Sequence, residues 1–421
     1  MVGFNSSLRR IRVGWFLLLG LALVFALLYL GFSLFPGVID PSVSKYFPLA
    51  LAEKARIYNL APRILYIIRF FLQIALLSGL LFSSAGRIIF HRIRKISRHY
   101  WLISGLAILG VGLLAQLVSL PFSYYTGFYW QKIWGFSTQS QTAWWLDYLK
   151  SAGISLLITL AGGLIFFWLV NRFSRYWWLI GTVFFSIWLV VEYLCWPILV
   201  YPLFNHFEHL ADPAVVTMVD NLAQQAGLQI SGIFVMDASR QTTLANAYFT
   251  GIGATKRIVI YDTLLRNYSL PEVKAVIAHE MGHWRHNDVV HGIIYGMLGG
   301  FAIFGLLTLL LKPWLSKYHK NPPELWVALQ LALLLLLFVS NPLQNAISRN
   351  MELGADSFSL ELTGNLPAEI QLQKDLASTG LADFSPPGFI VWFSYDHPPV
   401  LARIHALEKE DSQASNIPVG N

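Results

Sequence analysis

Residues Val276–Asp288 read VIAHEMGHWRHND and contain the pattern His279-Glu280-Met281-Gly282-His283. Residues four positions apart lie on one face of an α-helix, so the imidazoles of His279 and His283 can point at a common metal ion. In this pattern Glu280 does not ligate the metal but holds and deprotonates the water that the metal activates. A coincidental match on a polar helix face is expected in roughly one such chain in a hundred, so other features must support or oppose it.

The composition is that of a polytopic membrane protein. Hydrophobic residues make up 55% of the chain and charged residues 13%, against roughly 45–50% and 25% in ordinary soluble domains. The net charge of +7 comes from basic residues in short loops between apolar runs, which indicates topology determinants at a lipid bilayer and not a nucleic-acid partner. Cys195 is the single cysteine, so no intramolecular disulfide can form.

Seven apolar runs are long enough to predict transmembrane helices. The first is interpreted as a span and not as a cleaved signal peptide, because it is too long and the following FSLFPG offers no small-residue cleavage site. The runs are Val13–Phe35, Ile64–Ser84, Trp101–Leu120, Gly153–Val170, Trp177–Leu203, Val289–Leu311 and Leu325–Ile347.

Several predicted spans carry polar side chains, which usually face a bundle interior, a partner or a water-filled cavity. Arg69 could instead extend to the membrane surface from a helix end. Glu192 lies in the middle of its span and favours a hydrated interior. The polar residues are Arg69, Gln73, Gln116, Glu192, Gln330 and Asn341.

The charge distribution predicts the orientation of the chain. The N-terminal segment and the loops on its side hold 13 basic residues, and the opposite short loops hold six. The positive-inside rule therefore places the N-terminus in the cytoplasm. With seven spans, the HExxH segment and the C-terminus then lie outside the cytoplasm.

The long polar insertion 204–278 between the fifth and sixth spans predicts a small α/β unit. A helix begins after Asp212 and ends at Gly227, and a buried strand follows at Ile233–Met236. The segments Asn246–Thr250 and Arg257–Tyr261 flank a glycine-rich turn and predict a hairpin. Next, Ser269, Pro271 and Glu272 supply the start signals of the HExxH helix, which is expected to continue into the sixth span.

A catalytic zinc site needs a third protein ligand. After the seventh span, Glu352 and Asp356 share one face of a predicted helical segment. We expect Glu352 to be the third ligand and Asp356 to accept the free ring N–H of a ligating histidine. The alternative is a solvated acidic face paired with Arg349. Asp262 and Asp288 also lie near the motif but not on its ligand face.

The chain resembles the CAAX prenyl protease 1 family, multi-pass zinc metallopeptidases of the M48 class. The resemblance rests on the HEMGHW run, the element ELGAD at 352–356, the segments Asn246–Gly251 and Lys256–Val259, and the seven predicted spans. It implies one Zn²⁺ bound by His279, His283 and Glu352, with Glu280 as general base. It also implies a large hydrated chamber inside the helix bundle.

The resemblance further implies roles for residues outside the zinc ligands. His397, within Ser394–Pro399, would stabilise the developing oxyanion, or it could simply cap the Pro-Pro turn. Arg403 would reach the active site and bind substrate. Asn246 and Ala247 would form the edge strand along which an extended substrate lies, or they could belong to an ordinary hairpin.

The sequence departs from eukaryotic members of the family. Those carry a Lys-Arg-Ser-Ser-His-Ser run before Asn-Ala-Tyr, whereas 240–245 here reads RQTTLA, and the final PVGN holds no ER-retrieval signal. These differences, with the charge bias, favour a prokaryotic relative in a bacterial inner membrane, acting on membrane-associated, misfolded or CAAX-type peptides.

Two other functions fit parts of the sequence. A site-2-type intramembrane protease also uses HExxH, but its third ligand is an Asp from a later span, and the seventh span here has no Asp. A non-catalytic scaffold or chaperone could keep a structural metal, although such a site would not need Glu280.

The expected fold is mainly α, a seven-helix bundle enclosing a hydrated chamber. A gluzincin-like α/β unit is inserted after the fifth span and completed by the C-terminal segment. The expected division is 1–203 for spans one to five, 204–288 for the α/β segment with the HExxH helix, 289–347 for spans six and seven, and 348–421 for the C-terminal segment.

Overall fold

The computed structural model describes residues 2–251, 256–317 and 323–415, and the chain in these ranges is mainly helical. The helices are α1 (Val2–Leu34), α2 (Val43–Tyr46), α3 (Leu49–Phe82), α4 (Ser84–Ile96), α5 (Tyr100–Tyr124), α6 (Trp130–Ile133), α7 (Gln141–Arg172), α8 (Trp177–Leu199), α9 (Pro213–Ala226), α10 (Asp262–Asn267), α11 (Leu270–Arg285), α12 (Asp288–Lys317), α13 (Pro323–Thr363), α14 (Leu366–Thr379), α15 (Gly388–Ser394) and α16 (Val400–Ser415). The strands are β1 (Phe207–His209), β2 (Gly232–Met236), β3 (Ala247–Thr250) and β4 (Arg257–Tyr261).

Seven helical segments within the described ranges are long and apolar enough to cross a membrane, which confirms the predicted number of spans. Several of them are longer than the predicted apolar runs. A helix of 34 residues is about 50 Å long, whereas a bilayer core is about 30 Å thick, so these helices continue past the apolar stretch that crosses the membrane. The segments are Val13–Leu34, Leu49–Phe82, Tyr100–Ile133, Gln141–Arg172, Trp177–Leu203, Asp288–Leu315 and Pro323–Thr363.

Helix α13 is the most buried of these segments and links the membrane bundle to the candidate site. Its first half packs into the apolar core of the bundle through residues such as Leu325, Leu335 and Phe338. Its second half carries Glu352 and Asp356, both buried. The expected boundary at 347/348 lies inside this helix, which therefore positions site residues from the membrane bundle itself.

The polar insertion folds as an α/β unit. Its described strands form a sheet of order β1-β2-β4-β3, in which β2 and β4 are parallel and the other two pairs antiparallel. The predicted hairpin is confirmed by the pairing of β3 with β4, and its turn at 252–255 lies outside the described residues. Strand β1 was not predicted, because its three residues are too few to show an alternating pattern.

The HExxH helix α11 begins as its sequence predicts. The Ser269 backbone N–H donates to Glu272 Oε2 at 2.8 Å, and the Ser269 side chain completes the capping box. The helix then packs against α13 at Gly282. A Cβ atom at this position would lie 2.9 Å from Ala355 Cα and 3.1 Å from Ala355 O, closer than van der Waals contact allows. Glycine therefore permits the approach that brings α13 to the two histidines.

The expectation that α11 continues into the sixth span was wrong. The helix ends at Arg285, and α12 begins at Asp288. Between them Asn287 adopts a left-handed conformation with φ 55°, which asparagine tolerates better than most side chains because its short polar side chain can hydrogen-bond locally. The sixth span is therefore a separate helix.

Candidate metal centre

The structure brings the three predicted ligands together. His279 and His283 lie one turn apart on α11, and Glu352 faces them from α13. The Nε2 atom of His279 is 3.3 Å from Glu352 Oε2, and the Nε2 atom of His283 is 3.5 Å from Glu352 Oε1. One ligand atom from each of the three residues lies within 4.8 Å of the other two, so the group could hold a metal ion.

The spacing and chemistry of these donors fit a tetrahedral metal. Bonds of about 2.1 Å at a tetrahedral centre place neighbouring donors about 3.4 Å apart, close to the two nitrogen–oxygen distances. Glu352 Oε2 is also buried without a hydrogen-bond partner among the described residues. A buried carboxylate oxygen is stable only when it is paired or coordinates a metal, so the structure has a place for a cation here.

Each histidine meets a second carboxylate through its Nδ1 atom. Asp288 Oδ2 and His283 Nδ1 form a hydrogen bond at 2.8 Å, and Asp356 Oδ1 lies 2.9 Å from His279 Nδ1. Such partners fix the ring orientation and make Nε2 the free nitrogen. The alternative interpretation required an ion pair between Asp356 and Arg349, but Asp356 pairs with Arg403 instead.

Asp288 is the residue that sequence reasoning missed. In an unbroken helix, a residue five positions after His283 would lie about 140° around the axis from it. The break at Asn287 turns the chain so that the Asp288 carboxylate faces the histidine. The signal in the sequence was the Asn-Asp pair after the motif, which is a plausible helix end followed by a new helix start.

Arg403 pairs with Asp356, the carboxylate that lies beside His279. Its Nε atom donates to Asp356 Oδ2 at 2.7 Å, and a second nitrogen donates to the other carboxylate oxygen. The guanidinium is almost fully buried, and the pair neutralises charge next to the ligand histidine. This geometry favours a positioning function for Arg403, and direct contact with substrate stays a prediction.

Glu280 is half-buried on α11 between the two histidines. Burial raises the pKa of its carboxyl above the ordinary value, and the neighbouring His279 and His283 offset part of that effect. A raised pKa suits a carboxylate that must take up a proton and then release it.

His397 reaches the same centre from the C-terminal segment. Its Nε2 atom is 3.3 Å from Glu352 Oε1, and its Nδ1 atom is 3.0 Å from Asp396 Oδ1. The hydrogen bond with Asp396 raises the pKa of His397, and burial offsets part of the rise. The His397 side chain is exposed and its Nε2 atom lies beside Glu352, so it can donate a hydrogen bond to a group bound at the centre.

The loop that carries His397 is held by side chains from the membrane bundle. Arg349 donates to the carbonyl oxygens of Val391 at 2.9 Å and Tyr395 at 2.6 Å. From α3, Arg63 donates to the Tyr395 hydroxyl at 2.8 Å and pairs with buried Asp383 at 3.0 Å. No spacing in the sequence indicated these long-range contacts.

Asn246 and Ala247 lie at the start of β3, which forms one edge of the sheet. Ala247 is buried and pairs with Ile260 on β4, and Asn246 is exposed. Within the described residues no strand pairs with the other edge of β3, and the binding of a substrate along that edge stays a prediction.

Four of the six polar residues in the spans line one cavity of about 660 Å³ inside the bundle: Arg69, Gln73, Gln116 and Gln330. Asn341 instead donates to the Tyr66 hydroxyl at 3.2 Å. Glu192 is half-buried on α8 and lines none of the cavities described here.

Comparisons with known proteins place the chain in a class. Residues 209–411 match the model of peptidase family M48, and residues 36–206 match the CAAX prenyl protease N-terminal model, described as five membrane helices. The chain therefore belongs to peptidase family M48, in its CAAX prenyl protease branch, and is a membrane metalloendopeptidase.

Particular relatives support the assignment. The chain is 34% identical over 312 residues to the uncharacterized metalloprotease YhfN of Bacillus subtilis, covering 72% of each chain. It is 28% identical to CAAX prenyl protease 1 of Saccharomyces cerevisiae, covering 86% of this chain and 83% of that one. The crystal structure of S. mikatae Ste24p has the same fold, with a TM-score of 0.79 at 24% identity over 96% of this chain and 99% of that chain.

The Asp288–His283 contact predicts a role in metal retention. Replacing Asp288 with Asn keeps the size but removes the charge that orients the His283 ring, so metal affinity should fall by about tenfold or more. The measurement is competition with a chelator of known affinity. Asp396→Asn is the matched control, because Asp396 contacts His397 and none of the three ligands. Equal affinities of Asp288→Asn and the parent protein would contradict this role.

Proposed function

We propose that the protein is a zinc endopeptidase that hydrolyses membrane-associated peptides, with His279, His283 and Glu352 as the metal ligands. The observation that carries the proposal is that these three donors lie within 4.8 Å of one another and that one Glu352 oxygen is buried without a hydrogen-bond partner among the described residues. Nitrogen and carboxylate donors with one position left open are typical of catalytic zinc. When bound, a zinc ion would polarise the scissile carbonyl and lower the pKa of a water molecule.

The residues around the ligands then have separate tasks. Glu280 takes the proton of the attacking water and passes it to the leaving amine. His397, whose Nδ1 atom pairs with Asp396, donates a hydrogen bond to the developing oxyanion, an interaction that can lower the barrier by a few kcal/mol. Asp356 and Asp288 orient the ligand histidines, and Arg403 holds Asp356 in place.

The edge strand and the cavities support peptides as the proposed class of substrate. A peptide in extended form can pair with the free edge of β3 beside Asn246 and Ala247. Asn246 also lines a cavity of about 350 Å³ that adjoins larger cavities towards the bundle. We propose that these cavities form one hydrated chamber that admits misfolded or membrane-associated peptides, CAAX-type peptides among them.

Replacing Glu280 with Gln tests the assigned chemistry. Glutamine keeps the size of the side chain but cannot take up the proton, so peptide cleavage should fall by at least a thousandfold while zinc remains bound at one ion per chain. Cleavage of an unfolded peptide library and metal content are measured on the same preparation. Full activity in Glu280→Gln would refute the mechanism, and bound zinc with no cleavage by the parent protein would favour a structural scaffold.

We also propose that the candidate site faces away from the cytoplasm in a bacterial inner membrane. The bias of basic residues towards the loops on the N-terminal side supports this orientation. The test uses single cysteines in a Cys195→Ser background: Asp220→Cys on exposed α9 and Arg98→Cys in the exposed loop between α4 and α5. An impermeant thiol reagent on spheroplasts should label Asp220→Cys only. Labelling of Arg98→Cys alone would reverse the orientation.

A further inference from the structure

The cavity inside the bundle, enclosed by α3, α5, α7 and α13, is lined in the described part of the chain by one charged side chain, that of Arg69. Its wall is rich in hydroxyl and amide groups, including Gln73, Ser119 and Gln330, and contains no Asp or Glu among the described residues. Arg69 is the charged residue in that wall, so a positive charge stands in a polar space within the membrane-spanning part of the protein.

Arg69 differs from Gln73 and Gln116 in the same wall because it has no hydrogen bond or ion pair with any described residue. Gln73 donates to Ser119 Oγ at 2.9 Å, and Gln116 donates to the Ala152 carbonyl at 3.0 Å, so these side chains are held within the wall. Arg69 is 13 residues, about 20 Å, from the nearer end of α3, which is too far for its side chain to extend to that end. An unpaired cation at such a position indicates a binding function.

The cavity adjoins the space beside β3 through two pairs of shared lining residues. Tyr148 and Ser151 line both this cavity and a second one of about 730 Å³. Tyr201 and Asn205 line the second cavity and also the one that contains Asn246. A peptide lying along β3 can therefore extend through these spaces towards Arg69.

The packing of α3 against α13 sets a minimum separation between Arg69 and the metal centre. Phe70, next to Arg69, stacks on Phe338 with ring centroids 3.8 Å apart. Phe338 precedes Glu352 by 14 positions on α13, which corresponds to about 21 Å along the helix. An extended peptide covers about 3.3 Å per residue, so at least about six residues are needed to reach Arg69 from the metal centre.

We propose that Arg69 binds the C-terminal carboxylate of peptide substrates whose scissile bond lies at the metal centre, an inference that rests on the proposed peptidase function. A guanidinium matches a carboxylate by paired hydrogen bonds, and the surrounding hydroxyl and amide groups add neutral donors. A single cation balances a monoanion, whereas a phosphate group would call for further positive charge. Arg69 thereby selects substrates with a free C-terminus at least about six residues beyond the cleaved bond.

The test compares synthetic peptides that end in a carboxylate or in a carboxamide and carry two or eight residues after the scissile bond. With the eight-residue tail, the parent protein should show about tenfold lower KM for the carboxylate, as expected for a charge-assisted hydrogen bond. Arg69→Gln should abolish this preference and cleave the carboxamide peptide as the parent does. With the two-residue tail, carboxylate and carboxamide should be cleaved equally by both proteins.

Two control variants separate the charge from other effects. Arg69→Lys keeps the positive charge and should keep most of the carboxylate preference, and Arg98→Gln removes an exposed arginine outside the cavity and should change nothing. The same carboxylate-to-carboxamide ratio in Arg69→Gln and the parent would overturn the proposal. Failure of the parent to cleave any peptide would instead refute the peptidase function on which the proposal rests.

Discussion

The close contact between α11 and α13 is the constraint on which the rest of the site depends. Glu352 lies 69 positions after His283 in sequence, and the packing of Gly282 against Ala355 brings their helices near enough to share one ion. Helix α13 also runs through the apolar core of the bundle. The position of Glu352 is therefore fixed by the membrane-spanning part of the protein, and the soluble unit alone cannot form the centre.

A buried network of charges surrounds this contact. Asp356 joins His279 on α11 to Arg403 on α16, so three helices meet at one carboxylate. Buried charges are stable when each has a partner with good geometry, and removing one partner from such a pair is strongly destabilising. The network thus ties the C-terminal segment to the ligands, while Arg349 and Arg63 tie the loop of His397 to the bundle.

The sequence predicted what short-range periodicity encodes. The spacing of His279 and His283, the capping box at Ser269 and the seven apolar runs are local patterns, and the structure agrees with each of them. Glu352 and Asp356 followed from one further helical spacing. Asp288 was missed because helical periodicity was assumed to continue through Asn287, where a left-handed residue ends it. The partners of Arg403, Arg349 and Arg63 depend on tertiary packing, which no local pattern reveals.

The central claim is that two neighbouring imidazoles and one carboxylate from a distant helix hold a single metal ion. Anomalous X-ray scattering at the zinc absorption edge, on crystals of the purified protein, tests it most directly. The account predicts one peak per chain, about 2.0–2.2 Å from Nε2 of His279, Nε2 of His283 and a carboxylate oxygen of Glu352. A peak bound by the two histidines with Glu352 turned away, or no peak between them in zinc-loaded protein, would contradict it.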